Sequence, residues 1–320
     1  MNKHQPLVSV VIPTHNRKVS LLRLIDSVLK NNLQQIEIIV IDDASTDGTF
    51  ESVSNKYNNH PEISILRNKK NLHVAASRNV GAKKAKGKYI FFIDDDNVAT
   101  PDLLKSLVTV METDESIGEV GPVMYFFSNK KHLYWAGTKR DMTTSRTLFT
   151  TSLAGKENQE IWDTDDVLNA FLVRRDVVSK NEIFFKEKLG IMYEESDYAY
   201  RIRKAGYSVK VVKNAVIYHD TDDFSRESNK TAFLYHTMAN KKRAYFTARN
   251  RLVFHRLYSP LQQFLVILLF WNWLFAGFYL YHILIYDGPG TFTPRDRLLL
   301  ISSYLKGILD GFIFAVNKKL

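Results

Sequence analysis

Three adjacent carboxylates follow an uncharged, strand-like run in the first third of the chain. Tyr89–Ile93 contains only aromatic and β-branched residues, which is typical of a strand buried on both faces. Asp94, Asp95 and Asp96 come next, and because Asp is unfavourable in strands the strand must end there. Adjacent carboxylates repel one another, and a divalent cation that prefers oxygen ligands relieves the repulsion. The stretch therefore predicts a Mg²⁺ or Mn²⁺ site, against the plainer alternative of a solvated acidic turn.

The order of predicted strands and helices places this acidic stretch in an α/β sheet. Apolar runs at strand spacing alternate with segments whose apolar residues recur at helical spacing, and the connections are short. The predicted strands are Leu7–Ile12, Ile36–Ile41 and Ile63–Arg67, and the predicted helices are 21–29, Phe50–Tyr57 and Asn71–Ala85. This alternation is typical of a doubly wound, mostly parallel sheet, whose ligands bind at the carboxyl ends of the strands.

The chain then returns to the same sheet. Gly118–Phe127 and Val167–Val173 have the composition of strands, and the polar stretch 128–165 between them predicts an excursion with short strands. Two late strands, Tyr207–Val212 and Ala215–Tyr218, lead directly to His219. A single His at a strand end is more often a packed or surface residue than a ligand, so its position alone assigns it no function.

The composition changes after residue 240. Residues 241–256 contain Lys and Arg but no acid, and Leu257–Tyr286 contains neither acids nor Lys or Arg. A membrane-spanning helix needs about 20 apolar residues, and a basic flank is typical of the cytoplasmic side. With a second apolar segment at Leu298–Val316, the sequence predicts membrane-associated helices, either a hairpin or a pair lying in the interface. The alternative is a buried helical appendage of a soluble protein.

Global composition narrows the classes of function. The chain has 320 residues, a net charge of +10 and no Cys, which excludes disulfides and thiolate metal sites. A basic protein can bind nucleic acid, anionic lipid or a phosphorylated substrate. The basic residues concentrate beside an apolar segment rather than among stacking aromatics on a polar face, so membrane lipid is the predicted partner and nucleic acid is not.

Several ordered motifs resemble the family 2 glycosyltransferases, which are inverting enzymes with the GT-A fold. The resemblance runs from about Val8 to about Asn250. It is carried by Pro13-Thr14-His15-Asn16-Arg17, Asp42–Thr49, Asn71 with Arg78, Asn79 and Gly81, Asp94-Asp95-Asp96, Glu194-Glu195-Ser196-Asp197 with Arg201 and Gly206-Tyr207, His219, and Arg249-Asn250. One departure is Glu195, where the family often has Asp.

The resemblance implies a nucleotide-sugar donor, which would be a UDP-, GDP- or dTDP-sugar, and Mn²⁺ or Mg²⁺ as cofactor. It implies Asp96 as the first metal ligand, Asp94 as a ligand or ribose contact, and His219 as the ligand that completes the set. A cation there would offset the charge that develops on a diphosphate leaving group. The implied donor-binding residues are Pro13, Thr14, Asn16, Arg17, Asp42, Asn71, Arg78, Asp94 and Asp95.

The resemblance also places the catalytic carboxylates in the second acidic group, Glu194, Glu195 and Asp197. Glu195 is the predicted general base, which would take the proton from an acceptor hydroxyl as it attacks the anomeric carbon. Glu194 stays an alternative, because Glu in place of Asp lengthens the side chain. All three acids also stand at the start of a predicted helix, where the helix dipole favours negative charge, and the two interpretations are compatible.

These observations together predict a membrane-associated enzyme in three parts. Residues 1–225 are the predicted GT-A catalytic domain, 226–256 a basic juxtamembrane linker, and 257–320 the hydrophobic helices. The predicted reaction is inverting, metal-dependent transfer of a sugar to a hydroxyl of a lipid-linked, surface-polysaccharide or glycoprotein precursor. It would take place at the cytoplasmic face of the cell membrane. The alternative is a catalytically inactive sugar-binding or scaffold protein with the same fold.

Overall fold

The chain separates into two compact units in the computed structural model, which describes residues 5–221, 240–285 and 293–317. The sheet unit comprises Met1–Lys139, Phe149–Glu187 and Glu194–Asp223. The helical unit comprises Arg140–Leu148, Lys188–Tyr193 and Phe224–Leu320. The predicted domain boundary between residues 225 and 226 lies outside the described residues.

A mixed sheet of ten strands forms the centre of the sheet unit. Its order is β10-β12-β6-β11-β4-β1-β2-β3, with β5 paired to β12 and β7 paired to β6, while β8 and β9 form a separate two-stranded sheet. The strands are β1 (Val8–Thr14), β2 (Ile36–Asp42), β3 (Ile63–Arg67), β4 (Tyr89–Ile93), β5 (Asn97–Ala99), β6 (Ile117–Phe126), β7 (Leu133–Trp135), β8 (Thr138–Arg140), β9 (Thr147–Phe149), β10 (Ile161–Asp163), β11 (Ala170–Arg174) and β12 (Ser208–His219).

Strand direction brings four strand ends to one edge of this sheet. β1 pairs in parallel with β2 and β4, and β12 pairs in parallel with β6. β11 is antiparallel to both β4 and β6, so β4, β6 and β12 still run in the same direction. We call the edge where these strands end, at Thr14, Asp42, Ile93 and His219, the carboxyl edge.

Helices cover the sheet with the apolar faces that the sequence predicts. In the sheet unit they are α1 (Lys18–Leu29), α2 (Thr49–Lys56), α3 (His73–Lys84), α4 (Leu103–Thr113), α5 (Arg175–Lys180) and α6 (Glu194–Lys204). Every residue of β4 is buried, which confirms the two-sided burial expected for that strand. Gly81 lets α3 approach β1 closely, because a Cβ at this position would lie 2.3 Å from the Val11 Cγ1 atom.

The start of α3 differs from the prediction because a distant carboxylate sets it. The helix begins at His73 rather than at Asn71. The Asp43 carboxylate, at the end of β2, accepts hydrogen bonds from the backbone N–H groups of Leu72 and His73, both at 2.8 Å. This long-range cap satisfies donors that would otherwise be unpaired at a helix start.

Two strand boundaries also differ. β11 begins at Ala170, later than predicted, because Asn169 adopts a left-handed conformation with φ of 59°. The two predicted late strands are one strand, Ser208–His219, with a register irregularity between Val212 and Val216. A bulge of this kind absorbs extra residues without ending the strand.

Three long helices make up most of the helical unit. They are α7 (Lys241–Tyr258), α8 (Leu261–Ile285, with a π-helical turn at Ile267–Trp271) and α9 (Pro294–Asn317). By length and composition α8 and α9 could each cross a membrane, with mean hydropathies of 1.8 and 1.6. α7 and α9 pack closely, because a Cβ on Gly307 would lie only 2.3 Å from the Tyr245 carbonyl oxygen.

Candidate active site

The carboxyl edge gathers most of the residues that the sequence singles out. Thr14 and Asp42 are paired in register at the ends of β1 and β2. Asp94 follows β4 directly, and its backbone N–H donates to the Asn169 carbonyl oxygen at 2.9 Å. His219 ends β12. The predicted grouping therefore arises from strand direction, because parallel strands present their ends on the same side.

The acidic triplet is held by hydrogen bonds from the end of β1. The Thr14 hydroxyl donates to Asp95 Oδ2 at 2.7 Å. The Arg17 guanidinium bridges Asp95 and Asp96, with Nη1 at 3.2 Å from Asp95 Oδ1 and 2.5 Å from Asp96 Oδ2. Burial raises the pKa of Asp95 to about 7, although Arg17 and Thr14 act in the opposite direction. Thr14, Arg17 and the triplet therefore form one connected group.

Asp96 and His219 form a pair with free coordinating atoms. Asp96 Oδ1 lies 3.5 Å from His219 Nδ1. Within the described part of the chain, both atoms are buried and lack a hydrogen-bond partner. The His219 ring packs against Tyr134, with 4.8 Å between ring centroids. The described residues contain no cluster of three or more acidic or His side chains that could hold a metal by themselves.

Arg78 connects the triplet to the second acidic group. Its Nη2 donates to Asp94 Oδ1 at 2.6 Å and to Glu195 Oε1 at 2.8 Å. The side chain is 1% exposed and lies over the rings of Phe171 and Phe185. The resemblance implies Arg78 as a donor-binding residue, and the structure places it between two carboxylates.

Glu195 lies at the start of α6 with its side chain 12% exposed. Besides Arg78, the backbone N–H of Asn169 donates to Glu195 Oε1 at 3.0 Å. Burial raises the pKa of Glu195 to about 8, because desolvation and the charges of Glu194 and Asp94 outweigh the opposing charge of Arg78. A carboxylate whose pKa lies near neutrality is suited to general-base catalysis. Glu194 is also buried, next to it on the same helix.

Asn169 is a site residue that the sequence prediction missed. Its backbone holds Glu195 and Asp94, and its side-chain Nδ2 lies 3.4 Å from His219 Nε2. It therefore connects the candidate base to the candidate metal ligand. The available signal was a polar residue inside the apolar run Val167–Val173, of a type that tolerates the left-handed conformation.

Asp197, the third predicted catalytic acid, is held on both oxygens. Lys186 Nζ lies 2.6 Å from Asp197 Oδ1, and Arg201 Nε lies 2.8 Å from Asp197 Oδ2. The Asp197 side chain is 1% exposed. The pair with Lys186 ties the first turn of α6 to the preceding loop, whereas Arg201 lies in α6 itself, an arrangement that favours a part in orienting α6.

The resemblance implies two nucleotide loops, Pro13–Arg17 and Asp42–Thr49, and these contact each other. The Asn16 backbone N–H donates to Ser45 Oγ at 2.9 Å, and Asn16 Oδ1 accepts from the Thr46 backbone at 2.7 Å. Pro13 is buried and is the second-last residue of β1. Asp42 is fully buried and accepts from the Ser45 backbone at 3.0 Å.

Asn71 and Asp43 lie where these loops meet α3. The side chain of Asn71, an exposed residue, accepts from the His73 backbone at 3.2 Å. Asp43, which was not among the predicted site residues, caps α3 and also accepts from Asn68 at 2.8 Å. The sequence signal for Asp43 was its place beside Asp42 at the end of a strand. Only the fold shows that Asp43 is the one that caps α3.

Comparisons with known proteins found one matching family model and several proteins with a similar sequence or fold. The family model described as "Glycosyl transferase family 2" matches residues 9–181, more than half of the chain. A glycosyltransferase of Haemophilus influenzae described as uncharacterized is 35% identical over 108 residues, which cover 34% of this chain and 43% of that protein. Glycosyltransferase GlyG of Streptococcus pneumoniae is 26% identical over 180 residues, covering 56% of this chain and 58% of that protein. The chain thus spans well under two thirds of these relatives.

Solved structures share the fold at low sequence identity. The mannosyltransferase PcManGT from Pyrobaculum calidifontis, in complex with GDP-Man and Mn²⁺, aligns with a TM-score of 0.57 and 17% identity over 99% of this chain and 89% of that one. S. aureus TarS 1–349 in complex with UDP-GlcNAc aligns with a TM-score of 0.57 and 18% identity over 97% and 82% of the two chains. The sheet unit thus has the GT-A fold, and the chain belongs to glycosyl transferase family 2.

Proposed function

We propose that this chain transfers a sugar from a nucleotide-sugar donor to an acceptor hydroxyl with inversion at the anomeric carbon. The observation that carries the proposal is the connection of two groups at the carboxyl edge. Glu195 is held by Arg78 and Asn169, both of which also contact Asp94, and the Asn169 side chain approaches His219. A base and a candidate diphosphate site therefore share one rigid network.

Glu195 acts as general base in this proposal. Its Oε1 is oriented by two donors, and its raised pKa gives it affinity for the hydroxyl proton. As the acceptor oxygen attacks, the proton passes to Glu195 and the nucleoside diphosphate leaves from the opposite face. Arg78 stabilises the carboxylate before the transfer. Glu194 is the neighbouring alternative, and Asp197 orients the helix that carries both.

Asp96 and His219 are the proposed metal ligands, with Asp94 beside them. The fit rests on two buried atoms, Asp96 Oδ1 and His219 Nδ1, which lack partners among the described residues and lie 3.5 Å apart. Mg²⁺ and similar cations are often bound by one or two carboxylates together with substrate phosphates. A bound Mn²⁺ or Mg²⁺ would neutralise charge on the leaving diphosphate. Arg17, which now bridges Asp95 and Asp96, is positioned to exchange a carboxylate for a phosphate.

The donor class is a UDP-, GDP- or dTDP-sugar bound along the two nucleotide loops. Support comes from neighbours with the same fold that were solved with UDP-GlcNAc and with GDP-Man and Mn²⁺. The nucleotide would be lined by Pro13, Thr14, Asn16 and Asp42, and by Asn71, which lies just before the start of α3. We also propose that residues 1–225 form the catalytic domain, 226–256 a basic linker and 257–320 the hydrophobic helices.

The proposed acceptor is a lipid-linked or surface-polysaccharide precursor at the cytoplasmic face of the cell membrane. α8 and α9 expose many large apolar side chains, for example Leu269 at 70%, Trp273 at 53% and Leu309 at 59%. Contiguous exposed apolar surface of this kind marks a membrane or protein contact. The basic residues of α7 next to this surface favour an anionic membrane.

A binding and transfer assay on the full chain tests the proposal. Nucleoside diphosphate sugars should raise its thermal stability when Mn²⁺ is present, since a ligand at about 100 times its Kd stabilises by about 2.7 kcal/mol. Asp96→Ala should abolish this cation-dependent shift while the unliganded melting temperature stays close to that of the wild type. Binding without any sugar transfer would instead support the inactive sugar-binding alternative. Unchanged nucleotide affinity of Asp96→Ala with Mn²⁺ would refute the metal assignment.

A further inference from the structure

The helical unit buries an arginine without a carboxylate partner. Arg251, in the middle of α7, is 4% exposed. No acidic side chain in the described residues pairs with it, and its Nε and Nη1 atoms are buried without a hydrogen-bond partner. Removing a guanidinium from water costs several kcal/mol unless an opposite charge compensates it. An uncompensated charge at this depth indicates an anion that lies outside the described residues, and a bound ligand can supply it.

The groups around Arg251 are hydrogen-bond donors with aromatic bodies. Its guanidinium lies 4.1 Å from the Phe275 ring centroid, and its Nη2 donates to the Tyr279 hydroxyl at 3.3 Å. Tyr193 and Tyr304 are also neighbours of the guanidinium. Within the described residues the buried Tyr304 hydroxyl has no partner either. Phenol hydroxyls and a guanidinium together offer donors to an anion that has several acceptor oxygens.

The electrostatic surroundings are positive as well. Burial and the nearby charges of Arg140 and Arg251 lower the pKa of His255 to about 3. Asp141 is the acid near this group, and its carboxylate already accepts from the backbone N–H groups of Thr143 and Thr144. The Arg140 side chain lies over the rings of Tyr193 and Phe254 and donates to another residue of its own hairpin. The charges that act on His255 are thus those of two arginines and one acid.

We propose that Arg251, with Tyr193, Tyr279 and Tyr304, binds the phosphate group of a lipid-linked acceptor. The inference rests on the proposed function and extends it by assigning the residues that recognise the acceptor's phosphate ester. The guanidinium and the phenols donate to the phosphate oxygens, and the ester's negative charge compensates the buried cation. Tyr193 directly precedes Glu194 in the chain, so the cluster is joined covalently to the helix that carries Glu195.

Lipid rather than free phosphate is the favoured source because of the helices that build the cluster. Tyr279 lies on α8 and Tyr304 on α9, which among the described residues are the two helices long and apolar enough to cross a membrane. Their outward faces expose large apolar side chains, such as Phe270 at 59%. A phosphate bound at Arg251 would therefore be attached to a group that shares the apolar environment of these helices.

The test measures the thermal stability of the full chain in detergent, in phosphate-free buffer and without sugar donor. The ligands are a short-chain prenyl diphosphate, inorganic pyrophosphate and the matching prenyl alcohol. We expect the prenyl diphosphate to stabilise the wild type and the alcohol to have no effect. Arg251→Met should weaken this binding about 10- to 100-fold, because a hydrogen bond to a charged group contributes about 1.5–3 kcal/mol. Lys242→Gln, which removes an exposed charge from the same helix, is the matched control and should bind normally.

A second variant keeps the test decisive if Arg251→Met does not fold. Tyr304→Phe removes only a hydroxyl that has no partner in the described residues, so it should fold and bind the prenyl diphosphate about 2- to 10-fold more weakly. Unchanged binding by Tyr304→Phe and Arg251→Met, or no stabilisation of the wild type, would overturn the proposal. If pyrophosphate stabilises the wild type as strongly as the prenyl diphosphate does, the site binds free phosphate and the proposal is overturned. Vesicles of phosphatidylglycerol and of phosphatidylcholine serve as a further comparison. If the phosphatidylglycerol vesicles alone stabilise the wild type as strongly as the prenyl diphosphate does, the site binds bulk anionic headgroups and the proposal is likewise overturned.

The outcome is independent of catalysis. Glu195→Gln should bind the prenyl diphosphate as the wild type does and transfer sugar about 10²- to 10⁴-fold more slowly. If the wild type binds the lipid phosphate but transfers no sugar from any donor, the proposed function fails and the phosphate site remains. If sugar transfer proceeds while Arg251 variants bind and react normally, the phosphate assignment fails and the proposed function remains.

Discussion

Arg78 in the sheet unit and Arg251 in the helical unit are two buried arginines in similar apolar surroundings. Each is almost inaccessible, at 1% and 4% exposure, and each lies over two aromatic rings. Within the described residues each also leaves its Nε and Nη1 atoms without partners. They differ at Nη2, which contacts two carboxylates in Arg78 and a phenol in Arg251.

The difference shows how charge balance separates an internal role from a binding role. The charge of Arg78 is compensated within the fold by Asp94 and Glu195, so its effect is to hold the candidate base in place. The charge of Arg251 has no such compensation in the described residues. Burial alone therefore does not classify a charged side chain, because its partners decide whether the fold or a ligand balances it.

The largest expected effect comes from the carboxylate that balances Arg78. Glu195→Gln keeps the size and hydrogen bonding of the side chain but cannot take a proton. Sugar transfer should fall by a factor of about 10² to 10⁴, while donor and metal binding stay close to normal. Single-turnover transfer and nucleotide titration of the same preparation measure both.

Glu194→Gln is the matched control. It should transfer sugar at a rate much closer to the wild type, and because the charge of Glu194 raises the pKa of Glu195, the rise of kcat/KM with pH should shift to lower pH. In the wild type this rise should extend to about pH 8, as Glu195 loses its proton. An inactive Glu194→Gln beside an active Glu195→Gln would move the base by one position. Full activity of both would leave the mechanism without a base here.

The two arginines should respond oppositely to the same substitution. Arg78→Met leaves the largely buried Glu195 and the partly exposed Asp94 without their counter-charge and should lower the free energy of unfolding by about 3–5 kcal/mol. Arg251→Met replaces an uncompensated cation by an apolar side chain of similar length, so stability should stay equal or rise in anion-free buffer. Denaturant titration of both variants measures the difference. Comparable destabilisation by the two substitutions would make Arg251 a structural residue and remove the contrast.

Glu119 is the acidic counterpart of Arg251, because it too is buried without an ion-pair partner in the described residues. Burial, with smaller contributions from Asp166 and Glu195, raises its pKa well above the usual value. A carboxyl can take up a proton in that position, whereas an arginine cannot lose one. Since the folded state then binds a proton that the unfolded state has lost, stability should fall as pH rises above about 4.5, by up to about 1.4 kcal/mol per pH unit.

Glu119→Gln isolates this contribution. The pKa of Glu195 is also raised, so both proteins should lose stability as pH rises. The wild type should lose it more steeply than the variant, because only the wild type also has the Glu119 carboxyl. The measurement is the denaturation midpoint of each protein from pH 5 to pH 8. Parallel pH dependences for the two proteins would mean that Glu119 is ionised in the folded state.

The smallest expected effect tests the Asn169 side-chain amide, which lies near His219. Asn169→Gly permits the left-handed backbone and keeps the N–H that holds Glu195, but it removes the amide near His219. A neutral hydrogen bond contributes about 0.5–1.5 kcal/mol, so the apparent affinity for Mn²⁺ should fall about 2- to 10-fold with kcat changed less. Asn169→Ala, which strains the backbone, should also lower kcat. Equal metal affinity in Asn169→Gly and the wild type would make the side chain irrelevant to the metal site.

Local patterns of residues determined much of this protein. The apolar run Tyr89–Ile93 is a strand buried on both faces, and Asp94–Asp96 follow it at the carboxyl edge, as the sequence predicts. Local composition also correctly predicts the end of β12 at His219 and the two apolar C-terminal helices. The spacing of apolar residues and the residue types that form turns are properties of short segments, so a single sequence is enough to detect them.

Pairings between distant residues were decided only by the tertiary structure. Asp43 caps a helix some thirty positions away, Asn169 links Glu195 to His219, and Arg78 lies between two carboxylates rather than open to solvent. The same holds for Arg251, whose burial beside Tyr279 depends on how α7 and α8 pack. Such contacts depend on strand order, β11 reversal and helix packing, and the sequence around each residue carries no local signal of the partner that lies across the fold.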